Sequence, residues 1–331
     1  MKKIAVVILN WNGKELLSRF LPSVIEFSPE ATIYVADNHS DDDSVLFVTE
    51  NFPSVKIITN SSNLGFAQGY NDALKNVEEE FYALVNSDVE VTQNWLVPIL
   101  ALFERDKSTA IIQPKILDYK NREYFEYAGA AGGFIDKYGY PFCRGRIFET
   151  LEKDSGQYND EIEIFWASGA CFFIRKEVFR DLKCFDSDYF AHQEEIDLCW
   201  RAINNSHTVK YCGMSTVYHI GGATLTSQDP KKTYLNFRNS LATLVKNLPQ
   251  NKLLLILTAR LLLDGAAAIR FLLQWNFPQI AAILKAHFSF YMSFEHNYDK
   301  RTILQQREYY RINNVAVDYF IFKKLYYKDL F

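Results

Sequence analysis

Phe81-Tyr82-Ala83-Leu84-Val85-Asn86-Ser87-Asp88-Val89-Glu90 begins as an apolar run and turns abruptly polar and acidic. The aromatic, β-branched and aliphatic side chains at 81–85 suit a central strand covered on both faces. Asn86-Ser87-Asp88 then leaves the sheet at its carboxyl end, which in an open α/β sheet is where ligands sit. A carboxylate at Asp88, with a further oxygen donor at Asn86 or Glu90, suits a hard divalent cation that keeps waters and bridges phosphate oxygens. The same letters also spell an ordinary turn whose Asp caps the next helix. The flanking chain has to decide between the two.

Working outward, runs at 4–9, 32–36 and 55–58 read as further strands, each followed by helical spacing, at 14–27, 45–50 and 66–77. In the first helix the apolar positions are Leu16, Leu17, Phe20, Leu21 and Val24. The opening run mimics a signal peptide, but it breaks at Asn10-Trp11-Asn12 without a small-residue cleavage site and reads as the first strand. Regular alternation of strand and helix predicts an α/β fold with a Rossmann-like, mostly parallel sheet and helices on both faces. Right-handed crossovers gather the strand-end loops on one edge, so Asp37 and Asp88 share a crevice.

At 331 residues the chain suits one large α/β domain, placed at 1–229, and an appended helical region at 230–331. Charged residues make up 23% and the formal net charge is -4, a balance without the basic footprint of a nucleic-acid binder. The five cysteines are scattered and odd in number, and read as buried thiols in a reducing compartment, with neither zinc nor disulfide. Helices are predicted at 231–247, 252–275, 278–294 and 300–327. Arg260, Asp264 and Arg270 make it costly for 253–273 to span a bilayer. Two readings of the tail stand: helices at a membrane surface, or helices packed on the core.

Residues 110–114 read as a strand and 124–142 as irregular structure with short hairpins and no chemistry. Trp166 is either a platform for a sugar or a core residue; Ser168-Gly169-Ala170 then lets substrate pass close to the backbone before a strand at 171–174. The helical run 192–204 carries Glu194, Glu195 and Asp197 near its start. Crowded acids raise a pKa toward a general-base value, although helix capping alone accounts for them too. Asp197 and Arg201 form an i,i+4 structural pair. His219 stands exposed at the end of the strand 215–218, before Gly221-Gly222.

The wording of the loops resembles glycosyltransferase family 2. The matching pieces are Asn10-Trp11-Asn12, Asp37-Asn38-His39-Ser40-Asp41, Asn63-Leu64-Gly65-Phe66-Ala67-Gln68-Gly69-Tyr70-Asn71, Asn86-Ser87-Asp88, Trp166 to Cys171, Phe185-Asp186, Glu194 to Arg201 and His219 to Gly222. The resemblance implies a GT-A fold using a nucleotide-activated sugar. It assigns Asp37 to the base or ribose of the donor, with Asn10, Asn63, Gly65, Asn71 and Asn86 around the donor. Asn86-Ser87-Asp88 stands where the family has Asp-x-Asp, so Asp88 is the metal carboxylate and His219 the further ligand, a donor set favouring Mn²⁺ somewhat over Mg²⁺. The family's usual Glu-Asp is here Glu194-Glu195, which makes Glu195 the base with Glu194 as the alternative.

The implied reaction is inverting, metal-dependent transfer from a UDP- or dTDP-sugar to a hydroxyl of a glycan or lipid-linked acceptor. Its setting is bacterial surface polysaccharide synthesis, with rhamnose the sugar that similar members suggest, in the cytoplasm and at the inner face of the membrane with peripheral contact. A sugar-phosphate nucleotidyltransferase would need a Gly-rich basic loop after the first strand, which Asn10-Trp11-Asn12-Gly13 lacks. An inactive relative serving as a membrane-surface scaffold is opposed by the presence of Asp88, Glu195 and His219.

Overall fold

A computed structural model describes residues 2–221, 229–301, 304–306 and 308–331. The first four strands are Ile4–Asn10 (β1), Ala31–Asp37 (β2), Lys56–Thr59 (β3) and Phe81–Asn86 (β4), joined by helices Lys14–Phe27 (α1), Ser44–Asn51 (α2) and Gly65–Ala73 (α3). They pair in parallel in the order β4-β1-β2-β3. Their nearly continuous apolar sequence is explained by cover on both faces, since Ile4 to Val7 and Phe81 to Val85 are almost wholly buried. Helix α1 buries Leu17, Phe20, Leu21 and Val24, the stripe its spacing predicts.

The chain then forms Val89–Val91 (β5), Val97–Arg105 (α4) and Thr109–Asp118 (β6), followed by a small antiparallel sheet of Gly133–Ile135 (β7), Pro141–Cys143 (β8), Arg146–Ile147 (β9) and Thr150–Leu151 (β10). Glu161–Glu163 (β11), Cys171–Arg175 (β12) and Thr208–His219 (β13) complete the main sheet, with Lys176–Asp181 (α5) and Glu194–Asn204 (α6) between the last two. The order is β11-β13-β6-β12-β4-β1-β2-β3, with β5 on β13. Strand β12 runs antiparallel to β4 and β6, so the sheet is mixed on that side. The fold is GT-A, with helices Pro230–Asn247 (α7), Gln250–Leu273 (α8), Phe277–Met292 (α9), Phe294–Asp299 (α10) and Val315–Phe320 (α11) beyond it.

Several expectations change. The helix predicted over 300–327 is not continuous: among the described residues only Val315–Phe320 is α-helical. Tertiary packing overrides the helical spacing there, because Tyr309 stacks on Trp200 with ring centres 5.2 Å apart and donates to the Lys137 carbonyl at 2.7 Å. Trp166 is core rather than a sugar platform, being 4% exposed with its indole N–H on the Phe134 carbonyl at 2.9 Å. Helices α4 and α5, and the first half of β13, were not legible as elements. The cysteines are all free, four of them buried and Cys184 half-buried.

Helix α7 packs into the same core as the sheet, with Leu241, Leu244 and Val245 clustered among Trp200 and Phe185. At its end the ammonium of Lys246, 2% exposed, sits between Asp186 at 2.7 Å and Asp197 at 2.9 Å. Asp197 also pairs with Arg201 and accepts from Asn247, each at 2.8 Å, and Asp186 pairs with Lys300 at 2.8 Å. Burial opposes ionisation of both carboxylates, but the lysines and Arg201 outweigh it and hold both below the usual range. That contribution to stability is present above the ordinary carboxylate pKa and lost as the pH falls through the lowered one. Lys246→Met removes one partner of a buried cluster and destabilises the fold by about 3–5 kcal/mol. Urea denaturation measures it, and an unchanged midpoint would show the cluster to be energetically idle.

Candidate active site

The carboxyl ends of β1, β2 and β4, neighbours in the sheet, lie side by side, and Asp37 at the end of β2 is 2% exposed. Register places Asn10 opposite Asp37, and its amide donates to Asp37 Oδ1 at 3.0 Å. Ser40 donates its hydroxyl to Oδ1 at 2.6 Å and its backbone N–H to Oδ2 at 3.0 Å. Asn10 therefore orients Asp37, while its own Oδ1 is buried without a partner. Asn63 Oδ1 accepts from Asn38 at 2.9 Å and from the Gly65 N–H at 3.0 Å. Gly65 has φ +87°, and a Cβ there would stand 2.4 Å from the Phe190 carbonyl oxygen, so only glycine allows α3 to start against that loop. Asn71 uses both ends of its amide on the Phe185 backbone, at 2.9 and 3.0 Å. The predicted donor residues thus include several that shape the crevice by tying its loops together.

Beyond β4 the chain turns into β5, which pairs Val89 with His219, and the Ile220 N–H reaches the Asp88 carbonyl at 3.2 Å. Asp88 Oδ1 and His219 Nε2 are 3.1 Å apart. On the other side of the ring, Nδ1 lies 3.3 Å from Glu126 Oε1. His219, expected at an exposed strand end, is 5% exposed, because the Glu126 segment covers it. Burial would lower its pKa, but the flanking Asp88 and Glu126 carboxylates prevail and raise it to about 10. Glu90 does not serve this place: it pairs with Arg122 at 2.8 Å. Gly222 of the same motif lies outside the described residues.

The donor pair fits a divalent cation. Neighbouring ligands on one ion with bonds of about 2.1 Å lie about 3 Å apart when they subtend a right angle, close to the 3.1 Å between Nε2 and Oδ1. Among the described residues there is no group of three or more His, Cys, Asp or Glu able to hold an ion.

Helix α6 begins at Glu194, two residues later than predicted, because His192 and Gln193 are both left-handed, at φ 69° and 75°. Left-handed residues other than glycine cost of order 1–3 kcal/mol each and persist only where the surroundings impose them. Asn239 of α7 imposes them, its amide nitrogen lying 3.1, 2.9 and 2.7 Å from the carbonyls of Tyr189, Ala191 and His192. Glu194 is buried and Glu195 half-buried, and each has an oxygen that is sealed from solvent and unpartnered. Burial raises the Glu195 carboxyl to about 7, and burial with the neighbouring Glu195 raises Glu194 as well. Gly169 connects this helix to the sheet: a Cβ on it would lie 3.9 Å from the Glu195 carboxyl carbon. Its neighbour Ala170 accepts the Asn86 N–H at 2.9 Å. Glu195 and the turn carrying Asp88 therefore flank one strand end.

The sequence profile of glycosyl transferase family 2 matches residues 5–183, more than half of the chain. The chain belongs to glycosyl transferase family 2. Among curated relatives of this glycosyltransferase is the N-acetylglucosaminyl-diphospho-decaprenol L-rhamnosyltransferase of Mycobacterium tuberculosis, 22% identical over 210 residues, covering 59% of this chain and 68% of the relative. A hexosyltransferase of low-salt glycan biosynthesis from Haloferax volcanii is 23% identical over 246 residues, covering 71% and 73%. Solved structures with a similar fold include S. aureus TarS residues 1–349 with UDP-GlcNAc, at TM-score 0.60 and 16% identity, covering 90% of this chain and 84% of that one. GalNAc-T7 with UDP, GalNAc and Mn²⁺ gives TM-score 0.59 at 18% identity, covering 76% of this chain and about half, 49%, of that one.

In this family 2 chain, sequence reasoning missed Glu126 and Asn239. Glu126 sits in a stretch read as irregular and free of chemistry, and the signal available was a lone acid in front of Ala128-Gly129-Ala130-Ala131-Gly132. Asn239 lies mid-helix, where an Asn is usually a solvated residue, and only the strained loop beneath it reveals its role.

Proposed function

We propose that this family 2 glycosyltransferase moves a sugar, with inversion, from a nucleotide-diphosphate donor to an acceptor hydroxyl, using a divalent metal, Mn²⁺ or Mg²⁺. The observation that carries the reading is the approach of Glu195 to Gly169, beside the strand end that leads into Asp88. Asp88 and His219 would hold the metal, and the metal when bound offsets charge on the departing diphosphate. Mn²⁺ accompanies the nucleotide or the donor sugar in GalNAc-T7 and in a mannosyltransferase from Pyrobaculum calidifontis with a TM-score of 0.54, which supports the choice of ion.

Glu195 takes the proton of the acceptor hydroxyl as its oxygen bonds to the anomeric carbon, while the bond from that carbon to the diphosphate oxygen breaks on the opposite face. A carboxyl with a pKa near 7 is suited to this, being partly ionised at neutral pH and basic enough to accept a proton. Asp37, held by Asn10 and Ser40, presents a carboxylate edge to the nucleoside, with Asn63, Gly65, Asn71 and Asn86 framing the donor crevice. The donor is a UDP- or dTDP-sugar and the acceptor a glycan or lipid-linked glycan of bacterial surface polysaccharide synthesis, at the cytoplasmic face of the membrane. The mycobacterial relative's lipid diphosphate substrate supports the acceptor class. Residues 230–331 act as a helical extension of the 1–229 catalytic unit. The test is hydrolysis of a panel of UDP-, dTDP- and GDP-sugars by purified protein with Mn²⁺, Mg²⁺ or chelator: metal-dependent turnover of a UDP- or dTDP-sugar is the expected result, and none with any donor would sink the reading.

A further inference from the structure

Helix α8 is built inside out. Its buried face carries the charges: Arg260 and Asp264, 3% and 0% exposed, pair at 2.8 Å. Tyr140 donates to Asp264 at 3.0 Å, and His287 of α9 lies 3.2 Å from it. The outer face is apolar, with Leu254 81%, Leu255 70%, Leu262 73%, Leu273 77% and Trp275 79% exposed, and α9 adds Phe288 at 68%. An ordinary surface helix has the opposite arrangement, and contiguous exposed apolar area of this kind marks an interaction site.

The signs of the charges identify the partner. Between 249 and 294 the sequence holds a sole acid, Asp264, and it is the buried one. The exposed charges there are Arg270 and Lys285, both cationic. The Arg270 guanidinium lies 5.0 Å from the Phe320 ring centre, which brings exposed Ile321 and Phe322 and the following Lys323 to the same patch, while Lys324 is paired with Asp318 at 3.0 Å. Two copies apposed on this face would set cation against cation. No described helix is long and apolar enough to cross a membrane. We propose that the outer face of α8 and α9, continued by residues 320–323, docks on an anionic lipid bilayer without crossing it. The apolar side chains enter the headgroup boundary and the cations meet lipid phosphates. The inference deepens the proposed function by naming the surface that faces the membrane-borne acceptor, and it rests on that reading for its purpose only.

Vesicle flotation of the full chain tests it without requiring turnover. With phosphatidylcholine–phosphatidylglycerol vesicles the protein floats at low salt, binding roughly tenfold more weakly to phosphatidylcholine alone and being released by added salt. A Leu255→Gln, Leu273→Gln, Trp275→Gln triple variant, altered only at exposed positions, loses roughly tenfold or more in binding. Arg270→Gln with Lys285→Gln removes the preference for phosphatidylglycerol. UDP binding by each variant, measured by calorimetry without vesicles, stays at the parent value, which separates a failure of docking from a failure of the transferase reading. Equal flotation with both vesicle types, no flotation at all, or a stable oligomer that the triple variant dissociates would each overturn the proposal.

Discussion

Glu195→Gln lowers turnover by roughly 10²-fold or more and leaves UDP affinity close to that of the parent. Glutamine keeps the shape and the contact beside Gly169 but cannot accept a proton, so chemistry fails while the crevice at β1, β2 and β4 is untouched. The pH profile makes the same point. Because burial places the Glu195 carboxyl at about 7, the basic form predominates above that pH, and kcat/KM of the parent falls as the pH drops through it. In the Gln variant this acid limb disappears from the residual activity. Glu194→Gln is the control: burial and the neighbouring Glu195 raise its carboxyl too, but replacing it leaves the Glu195 limb in place. An inactive Glu194 variant beside an active Glu195 variant would move the base to Glu194.

Asp88→Ala abolishes Mn²⁺-dependent UDP binding and turnover together, because it removes the carboxylate of a pair whose other member is His219 at 3.1 Å. Calorimetry with UDP in Mn²⁺ and in chelator reads the effect directly. Glu126→Gln gives a graded version. Glu126 faces the far nitrogen of His219 and so positions the ring, and loss of such a partner costs about 10- to 100-fold in metal affinity. At saturating Mn²⁺ its turnover returns toward that of the parent, which a collapsed fold would not allow. Chelator-insensitive UDP binding and transfer by the Asp88 variant would remove the metal from the mechanism.

The parallel half of the sheet was legible because β1, β2 and β4 are buried on both faces and end in polar loops, so period and boundary coincide in the sequence. The antiparallel insertion was less so. Strand β12 separates β4 from β6 in the sheet although it lies far along the chain, and no local signal announces a pairing of that separation. Asp88, His219, Glu194 and Glu195 could be singled out by residue type and motif. What they touch could not: the ring nitrogen of His219 facing Glu126 and the backbone of His192 under Asn239 are contacts between segments 93 and 47 residues apart. The tail was misread over 300–327 because aromatic residues at helical spacing there fill gaps against Trp200 and Phe134 as an irregular strap.

The grip of Asn239 on the left-handed turn ahead of Glu194 bears on how such enzymes diversify. The turn's backbone shape is supplied by a helix of the tail, and Lys246, about two turns further along that helix, neutralises Asp197 within α6, the helix that Glu194 begins. A tail from another family member could not simply be spliced on after residue 229 to redirect this chain to a new acceptor. It would have to bring an amide and an ammonium at the matching positions of its first helix, or the carboxylate beside Gly169 would lose its setting. In this chain a junction placed beyond α7 keeps both contacts, whereas one at residue 229 removes them.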